Sequence, residues 1–222
     1  MSDIFREVDE DLRREQLLSF WKRYGGIVIG AAVLVVAATA GNVGWKYWRS
    51  AQMENRTAVL SQALAPLRPA AEGTAPDTRA AAEALSQAAA RLGGGHATLA
   101  RLYEAGLRAR DGQRDQALAL YDAIAGDGGA DPALRDMALL LSVQHQADDG
   151  DAKALRIRLE PLLKAGNAWR ASALETAALL SIRAGDMVDA QALLKQLSED
   201  STAPQALRAR ATELAALHAA PQ

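Results

Sequence analysis

The sequence predicts an all-α protein in which one N-terminal transmembrane helix precedes a helical-repeat domain, an α-solenoid. Three observations predict this class: an uncharged apolar segment between aromatic clusters, an apolar set dominated by Ala and Leu, and glycines that recur at a constant offset. Ala and Leu have high helix propensity, and β-branched residues are sparse outside the apolar segment. The 222 residues have room for one sizeable domain and an appendage.

A transmembrane helix is predicted over residues 25–45, after a charged, amphipathic arm over 1–24. The stretch 25–44 carries no charged side chain, and its 20 residues at about 1.5 Å each cover a hydrocarbon core that is roughly 30 Å thick. The predicted membrane anchors are aromatic residues at the two ends of this span: Trp21 and Tyr24 before it, Trp45 at its end, and Tyr47 and Trp48 after it.

A cleaved signal peptide is the alternative, because Ala38, Thr39 and Ala40 form an A-x-A site after an apolar run. The region before the run is long and partly acidic, and the apolar stretch continues past Ala40, so we expect an uncleaved anchor. Five basic residues precede the span and three follow it closely, a bias that places the N-terminus inside. In a bacterium this orientation puts the arm in the cytoplasm and the C-terminal domain in the periplasm, with the anchor in the inner membrane.

The N-terminal arm has one apolar helical face, formed by Ile4, Phe5, Val8 and Leu12. This face suits either the membrane surface or a partner protein; the alternative is a charged arm that only orients insertion. After the span, residues 46–76 are predicted to form a helical stalk and a linker that contains several Pro and Gly residues. The repeat domain is then expected over 77–222.

The repeat is indicated by an Ala–Gly–Ala spacing that occurs twice: Ala105, Gly112 and Ala117 in one copy, and Ala178, Gly185 and Ala190 in the other. The two copies are 73 residues apart (185 − 112), about two tetratricopeptide repeat lengths. Gly150 marks a degenerate middle copy, in which Leu155 replaces the second Ala and Pro161 interrupts the second helix. We interpret Gly112, Gly150 and Gly185 as turn positions that need a left-handed backbone.

No pattern of catalytic, cofactor-binding or metal-ligating residues is found, so we predict that the protein is not an enzyme and needs no cofactor. The chain lacks cysteine, and His96, His145 and His218 are too far apart in sequence for a metal-ligand motif. After Ser50 there are 18 Lys and Arg against 21 Asp and Glu, which disfavours a nucleic-acid ligand. Binding of other proteins is the remaining use of a helical array.

A partner surface is predicted on the first helix of each repeat, because these helices normally line the concave side of such an array. Counting back from the turn glycines selects a mixed apolar and polar set: Leu102, Gly106, Arg110, Leu140, Gln144, Asp148, Glu175, Leu179 and Arg183. For Arg110 and Arg183 the alternative is a cation that complements the dipole at a helix C-terminus. Trp169 is expected to pack at a helix start, and the alternative is a contact with a partner protein.

The order of elements resembles a known family, the YfgM-like single-pass bacterial proteins with tetratricopeptide-like repeats, which are ancillary subunits of the SecYEG translocon. The resemblance is carried by IFREVDEDLRREQLLSFWKRYG before the span and by GNAWRASALETAALLSIRAGDMVDAQALLKQLSEDSTAPQALRARA near the end, which looks like the alphaproteobacterial branch. It implies association with SecYEG and with a periplasmic chaperone such as PpiD, in support of secreted clients. The alternative is a scaffold or assembly factor of another envelope complex, respiratory or divisional.

Overall fold

The first helix, α1, occupies residues 34–63 of the part that the computed structural model describes, which comprises 34–68 and 76–218. The predicted arm, the anchors Trp21 and Tyr24 and the start of the predicted span lie outside the described residues. The rings of Trp45 and Trp48 lie 5.4 Å apart on α1, and both are exposed. Among the described residues, no helix combines the length and the apolarity required to cross a membrane.

Contacts divide the chain into two units, Met1–Asn55 and Arg56–Gln222. The second unit is entirely helical where it is described, which confirms the predicted α-solenoid class at this level. After α1 its helices are α2 (Thr78–Arg91), α3 (Gly94–Arg110), α4 (Arg114–Ala125), α5 (Pro132–Gln146), α6 (Ala152–Arg158), α7 (Arg170–Arg183), α8 (Met187–Glu199) and α9 (Gln205–Leu217).

The helices of the second unit form two layers. Each helix packs mainly on its neighbours in sequence, and α3 also contacts α5, α5 contacts α7, and α7 contacts α9. The odd-numbered helices α3, α5, α7 and α9 therefore form one continuous layer, and α2, α4, α6 and α8 form the other. This is the arrangement of a repeat array, in which each helix pair buries its apolar side against the next pair.

Aspartates begin several of these helices. Asp77, Asp131, Asp151 and Asp186 each accept a hydrogen bond from a backbone N–H in the first turn, at α2, α5, α6 and α8 respectively. Such caps satisfy N–H groups that have no partner within the helix. They fix where each helix starts after a short turn.

The three turn glycines differ in backbone conformation. Gly112 and Gly185 follow α3 and α7 with φ of 77° and 76°, the left-handed region that glycine adopts without strain. Gly150, between α5 and α6, is not among the glycines with positive φ. A Cβ built there would lie 2.9 Å from both the carbonyl oxygen of Gln146 and Cδ1 of Leu155. The left-handed interpretation is therefore wrong for Gly150, where the constraint is space.

The core consists of three clusters along the array. The first joins the end of α1 to α2 and α3, and Val59, Leu60 and Ala63 belong to the same cluster as Leu85. The second joins α3, α4 and α5 around Tyr121, and the third joins α5 to α9. Residues near 60 belong to the first cluster, and the second unit, which begins at Arg56, includes them.

Helix α6 is short because Pro161 follows it closely. The chain continues as a 3₁₀ turn at Glu160–Leu163, in which Leu162 is fully buried, as is Leu159 just before it. Leu155, which stands in place of the small Ala of the other copies, is also buried. The middle repeat thus departs from its neighbours at the positions that its sequence indicates.

Candidate protein-binding surface

The odd-numbered helices share one exposed side, here called the odd-helix face. Helices α3, α5 and α7 are buried by their neighbours over much of their circumference, and the remaining stripe, which continues on α9, recurs at spacings of three, four or seven residues. The stripe comprises Leu99, Tyr103, Gly106 and Arg110 on α3; Met137, Leu141, Gln144 and Asp148 on and just after α5; Ser172, Leu179 and Arg183 on α7; and Ala206, Arg210 and Leu217 on α9.

Large apolar side chains are exposed on this face. Tyr103 is 51% exposed, Leu179 is 45% exposed and Leu217 is 75% exposed. Between α3 and α7, Met137 and Leu141 of α5 are only partly buried. Covering apolar side chains releases water and is favourable, so the row provides contact area for another protein.

Polar contacts tie neighbouring odd-numbered helices together beside this row. The Gln144 side-chain amide donates to the Thr176 hydroxyl at 3.2 Å, between α5 and α7. Arg210 of α9 pairs with Glu175 of α7 at 2.5 Å. Arg183 donates a hydrogen bond to the carbonyl oxygen of Gly150 in the preceding turn. These contacts fix the register of the helices, and therefore the spacing of the apolar row.

The predicted partner residues divide into two groups. Arg110, Gln144, Leu179 and Arg183 are exposed on the odd-helix face, as are Gly106 and Asp148, and Glu175 is half-buried in its pair with Arg210. Leu102 and Leu140 are instead in the core, with exposures of 8% and 4%. Each lies about 100° around its helix from an exposed neighbour in the row, Tyr103 and Leu141. Because neighbouring helices cover two sides of each helix, the exposed stripe is too narrow to include both Leu102 and Tyr103, or both Leu140 and Leu141.

The predicted partner set does not include Tyr103, Met137, Leu141 or Leu217, which the structure places on the odd-helix face. A signal for the first existed, because Leu99, Tyr103, Gly106 and Arg110 follow a spacing of four, three and four that excludes Leu102. No equivalent signal singled out Leu217, whose position depends on how α9 packs across the end of the array.

The edge of the odd-helix face carries an ion pair between Arg114 of α4 and Asp149, in the turn between α5 and α6. The hydrogen bonds from Arg114 hold the pKa of Asp149 below its usual value, and the nearby Arg183 acts in the same direction. Asp151 in the same turn caps α6. Asp149 and Asp151 of this turn thus form an ion pair and a helix cap, respectively.

Trp169 lies immediately before α7, as expected for a residue that packs at a helix start. Its indole N–H donates to the carbonyl oxygen of Ala133 at 2.8 Å, and its backbone N–H donates to Asn167. The ring is partly buried against the third core cluster. This tryptophan joins α7 to the start of α5.

Side chains of the types that catalyse reactions or bind metals are dispersed in the described part of the chain. No group of three His, Asp or Glu side chains within it could hold a metal ion. His145 stacks on Tyr121, with ring centroids 5.6 Å apart. The buried hydroxyl of Ser181 lies 2.6 Å from the Asp189 carboxylate, which is also paired with Arg156. These contacts join adjacent helices.

Two layers of alternating helices with one shared exposed side define a helical-repeat protein that presents a surface to partners. The family described as Tetratricopeptide repeat-like domain matches residues 18–157, more than half of the chain, and the protein belongs to this family. No curated protein and no solved structure matches the chain significantly. Repeats of this type suggest a protein–protein interaction module.

Proposed function

We propose that the protein is a non-enzymatic, membrane-anchored interaction module that holds segments of other proteins on its odd-helix face. The observation that carries this proposal is the row of apolar side chains at Tyr103, Met137, Leu141, Leu179 and Leu217, which runs across four successive odd-numbered helices. A partner segment that crosses the helices meets an apolar contact on each of them. Gln144, Ser172 and the arginines beside the row supply hydrogen bonds to such a segment.

The anchor in this proposal is the segment 25–45, with the N-terminus in the cytoplasm and the repeat domain in the periplasm of a bacterium. The charge bias and aromatic clusters of the sequence support it. The family match begins at residue 18, so the apolar segment and the repeats are matched together. The described end of the segment, 34–45, is helical and exposed.

The anchor has its own test, in which membranes containing the full chain are washed with alkaline carbonate and then treated with protease from the periplasmic side. A spanning helix keeps the chain in the membrane pellet, and the protease removes the repeat domain while sparing residues before 25. Release of the intact chain into the wash would contradict the anchor, and an N-terminus that begins after Ala40 would support a cleaved signal peptide instead.

For the partners, we propose the SecYEG translocon and a periplasmic chaperone such as PpiD, with the protein as an ancillary subunit or chaperone-like factor for secreted clients. The support is the sequence resemblance together with the proposed placement of an apolar interaction surface beside the membrane that secreted chains cross. Exposed apolar segments of such chains suit the apolar row.

The experiment is photocrosslinking in intact membranes, with a photoreactive amino acid at Leu179 or Tyr103, followed by mass spectrometry of the adducts. Ala123 of α4 is the matched control, because it is exposed on the even-numbered layer. Adducts with translocon, chaperone or secreted chains at 179 and 103, but not at 123, are expected. Adducts with one respiratory or division complex would support the scaffold alternative. Equal yields at all three positions would contradict the assignment of the odd-helix face.

A further inference from the structure

The opposite layer contains a second exposed surface, at α6. The stripe formed by Lys153, Ile157 and Glu160, here called the α6 stripe, borders a cleft of about 410 Å³. The floor of the cleft is the end of α7, including Leu180 and Ala184, and its far wall is the start of α8. The cleft exists because Pro161 ends α6 early, so α6 covers only part of α7.

The α6 stripe is apolar at its centre and charged at its ends. Ile157 is 62% exposed, and Val188, near the start of α8, is 84% exposed. Within the described part of the chain, neither Lys153 nor Glu160 takes part in an ion pair. Arg156, beside Ile157, forms an ion pair with Asp189, in which Nε lies 3.0 Å from Oδ2. The stripe therefore presents a cation, an apolar side chain and an anion in that order.

This order is complementary to itself. Lys153 precedes Ile157 by four residues, about one turn of α6, and Glu160 follows it by three, at the start of the 3₁₀ turn that continues from α6. A two-fold axis near Ile157 aligns two α6 stripes antiparallel. It places Lys153 of each copy opposite Glu160 of the other, with the two isoleucines between them. Two-fold interfaces use one self-complementary patch on both subunits in this way.

We propose that the α6 stripe is a homodimer interface and that its occupant is a second copy of this chain. Each Ile157 packs at the cleft of the other copy and is removed from water, while two Lys153–Glu160 pairs fix the antiparallel direction. The odd-helix face lies on the other layer, so both copies keep it free for partners.

Because the chain has no cysteine, one introduced thiol can report the symmetry axis. Full-length Ile157→Cys, in mild detergent and under gentle oxidation, is expected to form a disulfide-linked dimer. Leu179→Cys is the matched control, because Leu179 is an exposed apolar residue on the other layer. A yield for Ile157→Cys no greater than that for Leu179→Cys would overturn the proposal.

Charge reversal in the Ile157→Cys background tests the pairing. In a dimer of Lys153→Glu chains both pairs bring two carboxylates together, and in a dimer of Glu160→Lys chains both pairs bring two ammonium groups together. Each variant is expected to weaken dimerisation about tenfold. Mixing these two variants restores opposite charges at both pairs, so their mixed dimer should recover the parent yield, as should the chain that carries both reversals. Helical circular dichroism establishes that each variant is folded. Folded charge variants that cross-link like the parent, or a mixture that does not recover, would refute the antiparallel pairing.

Discussion

Two glycines at comparable turns meet different physical limits. Gly112 has positive φ, and a Cβ added there would have no other atom within 4 Å, so its constraint is backbone conformation alone. Gly150 lacks positive φ but is crowded by the carbonyl of Gln146 and the side chain of Leu155. The larger Leu155, where the other copies have Ala, accounts for part of this crowding. Glycine is thus required at position 112 by the backbone conformation and at position 150 by the lack of space for a side chain.

Substitutions at the two glycines should therefore differ in kind. Gly112→Ala is expected to cost about 1–2 kcal/mol of unfolding free energy, and Gly112→Asn less, because Asn tolerates the left-handed region. Gly150→Ala should cost about 1–3 kcal/mol through overpacking, and Gly150→Asn at least as much, because its side chain is larger. Urea unfolding of the four variants measures these differences. Relief by Asn at position 150 would contradict the steric explanation.

Individual residues also show how much of the fold and of the candidate surface can be predicted from the sequence. The glycine positions are visible in the sequence, but their conformations are not, because Gly150 is constrained by atoms brought near it by packing. The partner residues predicted from sequence spacing lie on the helices of the odd-helix face, but two of them, Leu102 and Leu140, are buried. Periodicity gives the spacing of a face, whereas its direction depends on which sides of the helix neighbours cover.

At the scale of elements, α6 depends on ionic contacts with both neighbours in its layer. Arg158 pairs with Asp122 of α4 at 2.7 Å, and Arg156 pairs with Asp189 of α8 at 3.0 Å. The helix has only 7 residues, so it buries little apolar area of its own. The two arginines connect it to helices that it hardly contacts otherwise. These contacts join residues more than thirty positions apart, and single-sequence patterns do not reveal them.

Replacement of Asp189 by Asn should reduce stability in a pH-dependent manner. Burial raises the pKa of Asp189, but hydrogen bonds from Ser181 and Arg156 outweigh it, so the folded pKa lies below the ordinary value. The stabilisation is thus complete above the unfolded pKa of about 3.9 and disappears as the pH falls through the folded pKa. At neutral pH we expect a loss of about 0.5–1 kcal/mol, because a third of the side chain is exposed and solvent screens the pair.

Urea unfolding of the parent and of Asp189→Asn at neutral and acid pH measures this effect. The difference in unfolding free energy should shrink as the pH falls below about 4. Asp148→Asn is the control, because that carboxylate is exposed and forms no hydrogen bond or ion pair in the described part of the chain. A difference for Asp189→Asn that is constant with pH would mean that its carboxylate charge is not what stabilises α6.

For the whole repeat unit, the three core clusters imply that stability is local. The cluster around Leu85 contains residues of α1, α2 and α3, whereas the one around Leu174 contains residues of α5 to α9. In arrays of this kind each element contacts only near neighbours, so the loss of one end need not unfold the other. Helix α9 closes the C-terminal end and packs Leu207, Ala211 and Leu214 against the third cluster.

Removal of α9 should therefore destabilise the C-terminal helices selectively. A chain that ends at residue 204 leaves apolar side chains of α8 and part of α7 uncovered, at a cost of about 3 kcal/mol or more. Hydrogen exchange followed by mass spectrometry should show faster exchange in α7 and α8, with α2 and α3 unchanged. A chain that ends at residue 218 is the control and should behave as the parent does. Equal loss of protection in α2 and α8 would show instead that the three clusters unfold as one cooperative unit. Contacts between neighbouring helices alone would not increase exchange in α2 when α9 is removed.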